Sequence, residues 1–292
     1  ERRAGVPAAD LIAAARMFAA GKVGSVTAGT GPNMAPRGTL TEYLIAALQS
    51  VCGRWLREGD IVPNPYVLRP ARVSKAQADP KGPSHGFGEQ LRIRGLGANA
   101  GGLPTSALAE EILTPGDGQV RALFSLGGNP LAAWPDQLKT FDALKELDVL
   151  VQLDIRWSAT AKMSSHVVGC KLGLEAEGTS MPNETIWGYG AATTGYPDPY
   201  AQWAPALVDP PEGSEVYEEW QFFYRLAQRM GLPLKFSGVE LDMANEPTTG
   251  DLLELMSRGS RIPLAEVKQH PHGAMFRDDS IRVLPKLSLI HI

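Results

Sequence analysis

Apolar positions first recur at helical spacing in residues 7–20, PAADLIAAARMFAA. There Leu11, Ile12, Ala15, Phe18 and Ala19 share one face, with Pro7 near the start and Gly21 at the stop. Residues 23–27, VGSVT, are short and β-prone, and AGTGPN follows them. From Thr39, TLTEYLIAALQSVCGRWL predicts a long helix with Thr39 as N-cap and Glu42 three residues later, the capping-box spacing. Between about Asp60 and Leu103 the periodicity gives way to Pro, Gly, Arg and Lys, which predicts an extended, irregular connection. The clearest pattern comes next. VRALFSL (120–126) reads as a buried strand, GGNP as a turn, PDQLKTFDALKEL (135–147) as a helix and DVLVQLD (148–154) as a second buried strand. ATAKMSS then makes a short helix and HVVG (166–169) a third strand. Residues 180–213 are loop-like, SEVYEEWQFFYRLAQRMG (214–231) is an amphipathic helix capped by Ser214 and stopped by Gly231, and Thr248 to Arg258 and Leu264 to Gln269 supply shorter helices.

Strands alternating with helices predict an α/β fold of mainly parallel sheets flanked by helices, joined by right-handed crossovers. The pattern divides into two adjoining Rossmann-like parts. Residues 1–60 form the end of a first α/β domain, 61–103 the irregular connection, and 104–285 a second α/β domain. The chain opens on Glu-Arg-Arg without Met, and residues 286–292, closing on LSLIHI, read as a non-native tail.

Composition narrows the function classes. A net charge of -4 from 28 basic and 32 acidic residues, with no long run of either sign, offers neither a nucleic-acid nor a membrane surface. No apolar stretch reaches the roughly 18 residues that span a bilayer. Cys52 and Cys170 belong to no CxxC pair, so these residues carry no zinc or iron–sulfur ligand set, and two buried thiols suit a reducing, cytoplasmic compartment. There is no GxSxG elbow, and His85, His166, His270, His272 and His291 sit in unrelated settings, so a triad hydrolase is not supported.

Two strand-to-helix junctions carry glycine where a phosphate would sit, Gly29-Thr30-Gly31 and Gly127-Gly128-Asn129-Pro130. At the carboxyl edge of a parallel strand, glycines let backbone N–H groups approach a ligand, and a helix start favours an anion. Tight βα turns with no ligand carry the same residues. Neither turn is GxGxxG or a Walker loop, which moves the reading away from ordinary NAD enzymes and P-loop NTPases. Asp154 ends its strand, where its carboxylate can accept from a ribose hydroxyl or a base edge, or cap the helix that follows.

VRALFSLGGNP, DVLVQLDIRWSATAKMSSHVVGCKLGLEAEGTS and EEWQFFYRLAQRMG, in this order and spacing, resemble the molybdopterin oxidoreductases of the dimethyl-sulfoxide-reductase and formate-dehydrogenase superfamily. The resemblance implies a central fragment of a large catalytic subunit. It implies bis(molybdopterin guanine dinucleotide) with molybdenum or tungsten as cofactor, and two-electron chemistry on a small-molecule substrate, formate first. Gly127, Gly128, Asn129 and Pro130 fall on the family's guanine-dinucleotide turn, Gln152 and Asp154 on the acidic strand end that recognises the nucleotide, and Thr160 on the helix start after it. Gly29, Thr30 and Gly31 resemble the Gly-rich turn of the preceding domain, and Asn183 an asparagine near the pterin. Arg94, in RIRGLGANAGG, resembles an active-site arginine that holds an anionic substrate, a task that suits its permanent, bidentate charge; an ordinary loop arginine contacting backbone or solvent is the competing reading. An iron–sulfur cluster is implied only for a missing N-terminal part, with an electron-transfer partner subunit or domain. Where the family has Ala-Asp-Val-Val-Leu-Pro in the third strand, this chain reads Ser165-His166-Val167-Val168-Gly169-Cys170, with His166 in place of the acidic residue and Cys170 in place of the proline. That departure keeps a second expectation in play: a non-catalytic scaffold that has lost the metal, similar to the large iron–sulfur subunit of respiratory complex I.

Overall fold

The structure, a computed structural model, describes residues 1–22, 24–26, 28–29, 31–55, 57–60, 66–70, 88–98, 102–184 and 198–278. The expectations for Thr30, His85, His291, much of the 61–103 connection and the 286–292 tail lie outside the described residues. Two compact units emerge: Glu1–Gln77 with Thr179–Ala204 and Ser257–Ile292, and Ala78–Gly178 with Pro205–Met256. The chain therefore does not divide near residues 60 and 103 as the pattern suggested. Non-local backbone pairing, invisible to periodicity, draws the later segments back. In the first unit the Arg261 and Ile262 N–H groups donate to the Arg69 and Val67 carbonyls at 2.9 and 3.0 Å, and Ala274–Met275 pairs antiparallel with Tyr200–Ala201.

The first unit contains the two helices expected from spacing, Ala8–Ala20 and Gly38–Val51, with a short turn of helix at Gly31–Met34 between them. Thr39 is not the cap. The helix begins one residue earlier, after Arg37 at φ 63°, with no side-chain capping bond. Of the expected strand at 23–27, the described residues Gly24, Ser25 and Val26 join no ladder. Among the described residues the four-stranded parallel sheet, flanked by helices, lies in the second unit. Arg54 closes the end of the Ala8–Ala20 helix by donating to the carbonyls of Phe18, Ala19, Gly21 and Lys22, which that helix leaves unpaired.

The second unit is built on four parallel strands in spatial order β1 (Ala122–Leu126), β2 (Val149–Asp154), β3 (His166–Cys170) and β4 (Val216–Tyr217). Its helices are α1 (Leu108–Leu113), α2 (Pro130–Ala133), α3 (Gln137–Lys145), α4 (Glu219–Met230) and α5 (Thr249–Met256). β1 and β2 are in register from Ala122↔Val149 to Leu126↔Leu153, and Asp154 pairs with Gly169 of β3. β2 is central and buried from Leu150 to Asp154, hence its nearly unbroken apolar run. On one face Val151, Leu153 and Cys170 pack against Phe222 and Phe223 of α4, with Phe124 of β1 joining them at ring separations of 6.1 and 5.9 Å. Around α1 and α3, Ala109, Ile112 and Ala143 form a second cluster.

The stretch expected as a helix from Ser214 divides in two. Val216 and Tyr217 pair with Gly169 and Cys170 as β4, and α4 starts at Glu219 behind a capping box of Glu218 and Gln221. Ser214 instead donates its hydroxyl to the Pro211 carbonyl at 2.6 Å. Gly231 ends α4 at φ 68°, as its lack of Cβ allows.

Candidate functional site

Alternation along β2 sends Val149, Val151 and Leu153 to the α4 face and Leu150, Gln152 and Asp154 to the other. β1 ends one position short of that edge. The Gly127 N–H continues the ladder by donating to the Leu153 carbonyl at 2.8 Å, and Gly127 then turns the chain at φ 58°, the left-handed region that glycine enters without strain. The turn after β1 and the end of β2 are thereby brought side by side.

Gln152 joins them. It is fully buried, and its Nε2 donates to the Gly128 carbonyl at 2.9 Å and to Asp154 Oδ2 at 3.1 Å. Both partners are acceptors, which fixes the orientation of the amide. Its Oε1 is buried without a partner. Asp154, 9 % exposed, also accepts from the Ile155 N–H at Oδ1, 2.8 Å away. Each of its oxygens receives one bond and keeps capacity for another.

Asn129 forms the second link. Its Oδ1 accepts from both the N–H and the hydroxyl of Thr160, at 3.2 and 2.9 Å, and the Thr160 Oγ1 accepts from the Leu131 N–H at 3.1 Å. Thr160 is fully buried, so this clasp is shielded from water. Pro130 occupies the first turn of α2, where its missing N–H costs nothing. The N–H groups of Gly128 and Asn129 and the Asn129 Nδ2 have no acceptor among the described residues. The structure thus gathers Gly127, Gly128, Asn129, Pro130, Gln152, Asp154 and Thr160 at the carboxyl edge of two neighbouring parallel strands, offering donors from one turn and a carboxylate from the other.

The helix-dipole part of the expectation is corrected. The helix after GGNP is only four residues long, and after it the chain breaks until Asp136, in the left-handed region, accepts the Lys139 N–H and starts α3. A single turn sums too few peptide dipoles to hold an anion, so any ligand here meets individual N–H groups.

The remaining expected residues lie elsewhere in the chain. Gly29 and Gly31 belong to the first unit, and a Cβ on either would meet nothing within 4 Å. Asn183 is exposed in a helical turn at 181–184 of the same unit. Arg94 tops a tight hairpin of residues 89–98, and its Nε and Nη2 grip Glu110 of α1 at 2.6 and 2.7 Å, while Lys139 reaches the same carboxylate at 2.8 Å. The hydrogen bonds from Arg94 and Lys139 hold the Glu110 carboxyl well below its usual range, at about 2. The arginine fork that would clamp an anionic substrate is engaged by a carboxylate of its own chain. His166 opens β3 opposite Val151, at the amino edge of the sheet, and its Nδ1 lies 3.0 Å from the Ser165 hydroxyl. The altered residue is therefore remote from the turn cluster. Among the described residues no group of three His, Cys, Asp or Glu side chains could hold a metal ion.

Sequence reasoning missed Glu110, which anchors Arg94 from 16 residues away, and Glu184, which is fully buried in the first unit and accepts the Leu68 N–H at 2.9 Å. Burial pushes the Glu184 carboxyl up. Neither lies in a recurring motif; a glutamate directly after Asn183 carries no mark of being internal. A cavity of about 220 Å³ lined by Val168, Tyr217, Phe222, Arg225, Leu226 and Arg229 lies on the α4 face of the sheet, away from the side on which Gln152 and Asp154 project.

No protein-family profile matches the chain. Over 135 residues, 46 % of its length, it is 29 % identical to the F420-dependent formate dehydrogenase subunit alpha of Methanocaldococcus jannaschii, of which it spans 18 %. Its fold is similar to that of acetylene hydratase from Pelobacter acetylenicus, with a TM-score of 0.51 at 18 % identity, over 78 % of this chain and 33 % of that one. The α/β architecture with its parallel sheet is thus shared with a solved enzyme, and the chain spans a third or less of either relative.

Proposed function

We propose that this chain is part of the large subunit of a molybdopterin-dependent oxidoreductase and that the edge formed by Gly127–Pro130, Gln152, Asp154 and Thr160 holds the guanine dinucleotide end of the pterin cofactor. The observation that carries the reading is the double link between the two strand ends, Gln152 to Gly128 and Asn129 to Thr160. It creates a preformed edge with unpaired donors on one side and a buried carboxylate on the other.

The residues suit the group. An ionised Asp154 only accepts, and guanine presents adjacent N1–H and N2–H donors, whereas the corresponding edge of adenine places a lone pair next to its amino group. Gln152 Oε1, buried without a partner beside Asp154, is a further acceptor at the same place. Gly127 leaves open space where a side chain would stand. The backbone N–H groups of Gly128 and Asn129 suit phosphate or ribose oxygens. The cofactor, when bound, supplies two-electron redox chemistry at molybdenum or tungsten; this chain's share is to bind and orient its nucleotide end.

The similarity to a formate dehydrogenase alpha subunit supports formate as the first substrate to assay, with other oxyanions second. In that role Arg94 would release Glu110 to take the substrate carboxylate. An electron-transfer partner, an iron–sulfur cluster elsewhere in the protein and a cytoplasmic site of action complete the proposal. No helix among the described residues is long and apolar enough to cross a membrane. The scaffold alternative is kept in play by the altered residues His166 and Cys170; His166 opens β3 at the amino edge of the sheet, opposite Val151 and away from this cluster, so it adds nothing to that alternative. The test is metal and pterin analysis of the full-length protein: molybdenum or tungsten with a fluorescent oxidised pterin is expected, and the absence of both overturns the proposal.

A further inference from the structure

Between the buried Asp154 and the buried Ser158 the chain exposes three residues in succession, Ile155, Arg156 and Trp157. Ile155 is 61 % and Trp157 68 % exposed, although indole is among the side chains with most to gain from burial. The Trp157 ring makes no hydrogen bond or aromatic contact among the described residues. Its backbone is nevertheless pinned on both sides. Asp154 accepts from the Ile155 N–H, the Ser158 N–H donates to the Arg156 carbonyl at 3.0 Å, the Ser158 hydroxyl accepts from the Ala161 N–H at 3.1 Å, and Thr160 is clasped to Asn129. The loop is therefore a fixed bracket carrying an unused aromatic. Trp157 is three residues from Asp154 and three from Thr160, so its Cα lies within about 10 Å of each.

We infer that Trp157 is the stacking wall of this edge: a planar purine whose donor edge meets Asp154 lies against the indole face. This rests on the nucleotide-binding reading above and adds to it the residue that covers the flat of the base. The carboxylate identifies the occupant as a base with paired N–H donors. Arg156, exposed beside the tryptophan, brings a positive charge suited to the phosphates of a nucleotide rather than to a purely apolar partner. A base stacked on an aromatic side chain gains enough to shift affinity about 5- to 150-fold on truncation to alanine.

The experiment is calorimetric titration of the 292-residue chain with guanosine diphosphate and, separately, adenosine diphosphate, repeated for Trp157→Ala and Trp157→Phe, with the tryptophan near-UV dichroism followed on addition of nucleotide. The expected result is preference for the guanine nucleotide, loss of about fivefold or more in affinity for Trp157→Ala, near-retention for Trp157→Phe, and a dichroic change in the native chain that both variants lack. An exposed side chain leaves the melting temperature unchanged, which separates lost stacking from lost folding. Equal guanosine diphosphate affinity in the native chain and Trp157→Ala overturns the stacking role while leaving the Asp154 site standing. No binding of either nucleotide to the native chain overturns both, and capture of Trp157 by a second protein without nucleotide overturns the assignment of its occupant.

Discussion

Replacing Thr160 by Val tests whether the two strand ends are locked together by the Asn129 clasp. Valine keeps the shape of threonine and removes only the hydroxyl, which makes two hydrogen bonds: it donates to Asn129 Oδ1 at 2.9 Å and accepts from the Leu131 N–H at 3.1 Å. A typical net contribution is about 1 kcal/mol per bond. Leu131 is half-buried and recovers part of its loss from water, and Asn129 keeps the Thr160 N–H bond at 3.2 Å, so the total is about 2 kcal/mol. For a domain of this size that lowers the melting temperature by roughly 4–8 °C. Thr160→Ser, which keeps the hydroxyl and loses one methyl, separates polar from packing effects. Hydrogen exchange at the Leu131 amide is the specific readout, expected to accelerate strongly in Thr160→Val and little in Thr160→Ser. Unchanged exchange at Leu131 and a melting temperature within a degree of the native chain would refute the clasp.

Three further outcomes follow from neighbouring geometry. Gly127→Ala places a Cβ in open space but at φ 58°, so it should cost about 1 kcal/mol, purely in backbone strain, measured by denaturant midpoint. Gln152→Glu replaces a donor by a carboxylate 3.1 Å from Asp154 Oδ2 and 2.9 Å from the Gly128 carbonyl; the new carboxyl's folded-state pKa is raised, so the variant should be markedly less stable near pH 7 and regain stability as pH falls and one carboxyl protonates. Glu110, with its folded pKa lowered from 4.5 to about 2, contributes stability that is complete above about pH 4.5 and fades as pH falls towards 2. Glu110→Gln should abolish that part of the acid dependence, seen as altered hydrogen exchange in the 89–98 hairpin, and an unaltered profile would show that Arg94 does not hold the hairpin to α1.

What the sequence revealed and what it hid follow one physical division. β2 could be read directly because a strand covered on both faces is written as an apolar run; β1 and β3, expected as strands from similar runs, are strands but are only partly covered, with Phe124 and Leu126 of β1 exposed, and the GGNP turn and Asp154 marked themselves by standing where those runs stop. β4 could not be read. Its Val216 and Tyr217 lie between acidic residues that also suit a helical first turn, and only the parallel neighbour at Gly169 and Cys170 makes them a strand. The caps failed for a related reason: Ser214 and Thr39 had suitable spacing, but the helices start at Glu219 and Gly38. Arg94 presented itself as a free charge because Glu110 is distant in sequence, and the fork that looked available is already gripped.

The site is distinctive in how it divides its hydrogen-bonding groups. Asn129 Oδ1, Gln152 Nε2 and the Thr160 hydroxyl are all consumed in tying the two strand ends together. The groups left over are the Gly128 and Asn129 N–H donors, the Asn129 Nδ2, the remaining lone pairs of Asp154 and the orphaned Gln152 Oε1. Because the tying groups and the free groups are different atoms of the same residues, a ligand need not break an internal bond to make its own. It meets an edge whose rotamers are already fixed, so little of its binding free energy goes into ordering side chains. Arg94 is in the opposite situation: binding an anion with its full fork means giving up Glu110. Of the two proposed roles, holding a nucleotide would draw on groups already in place, and gripping a substrate with Arg94 would require a rearrangement.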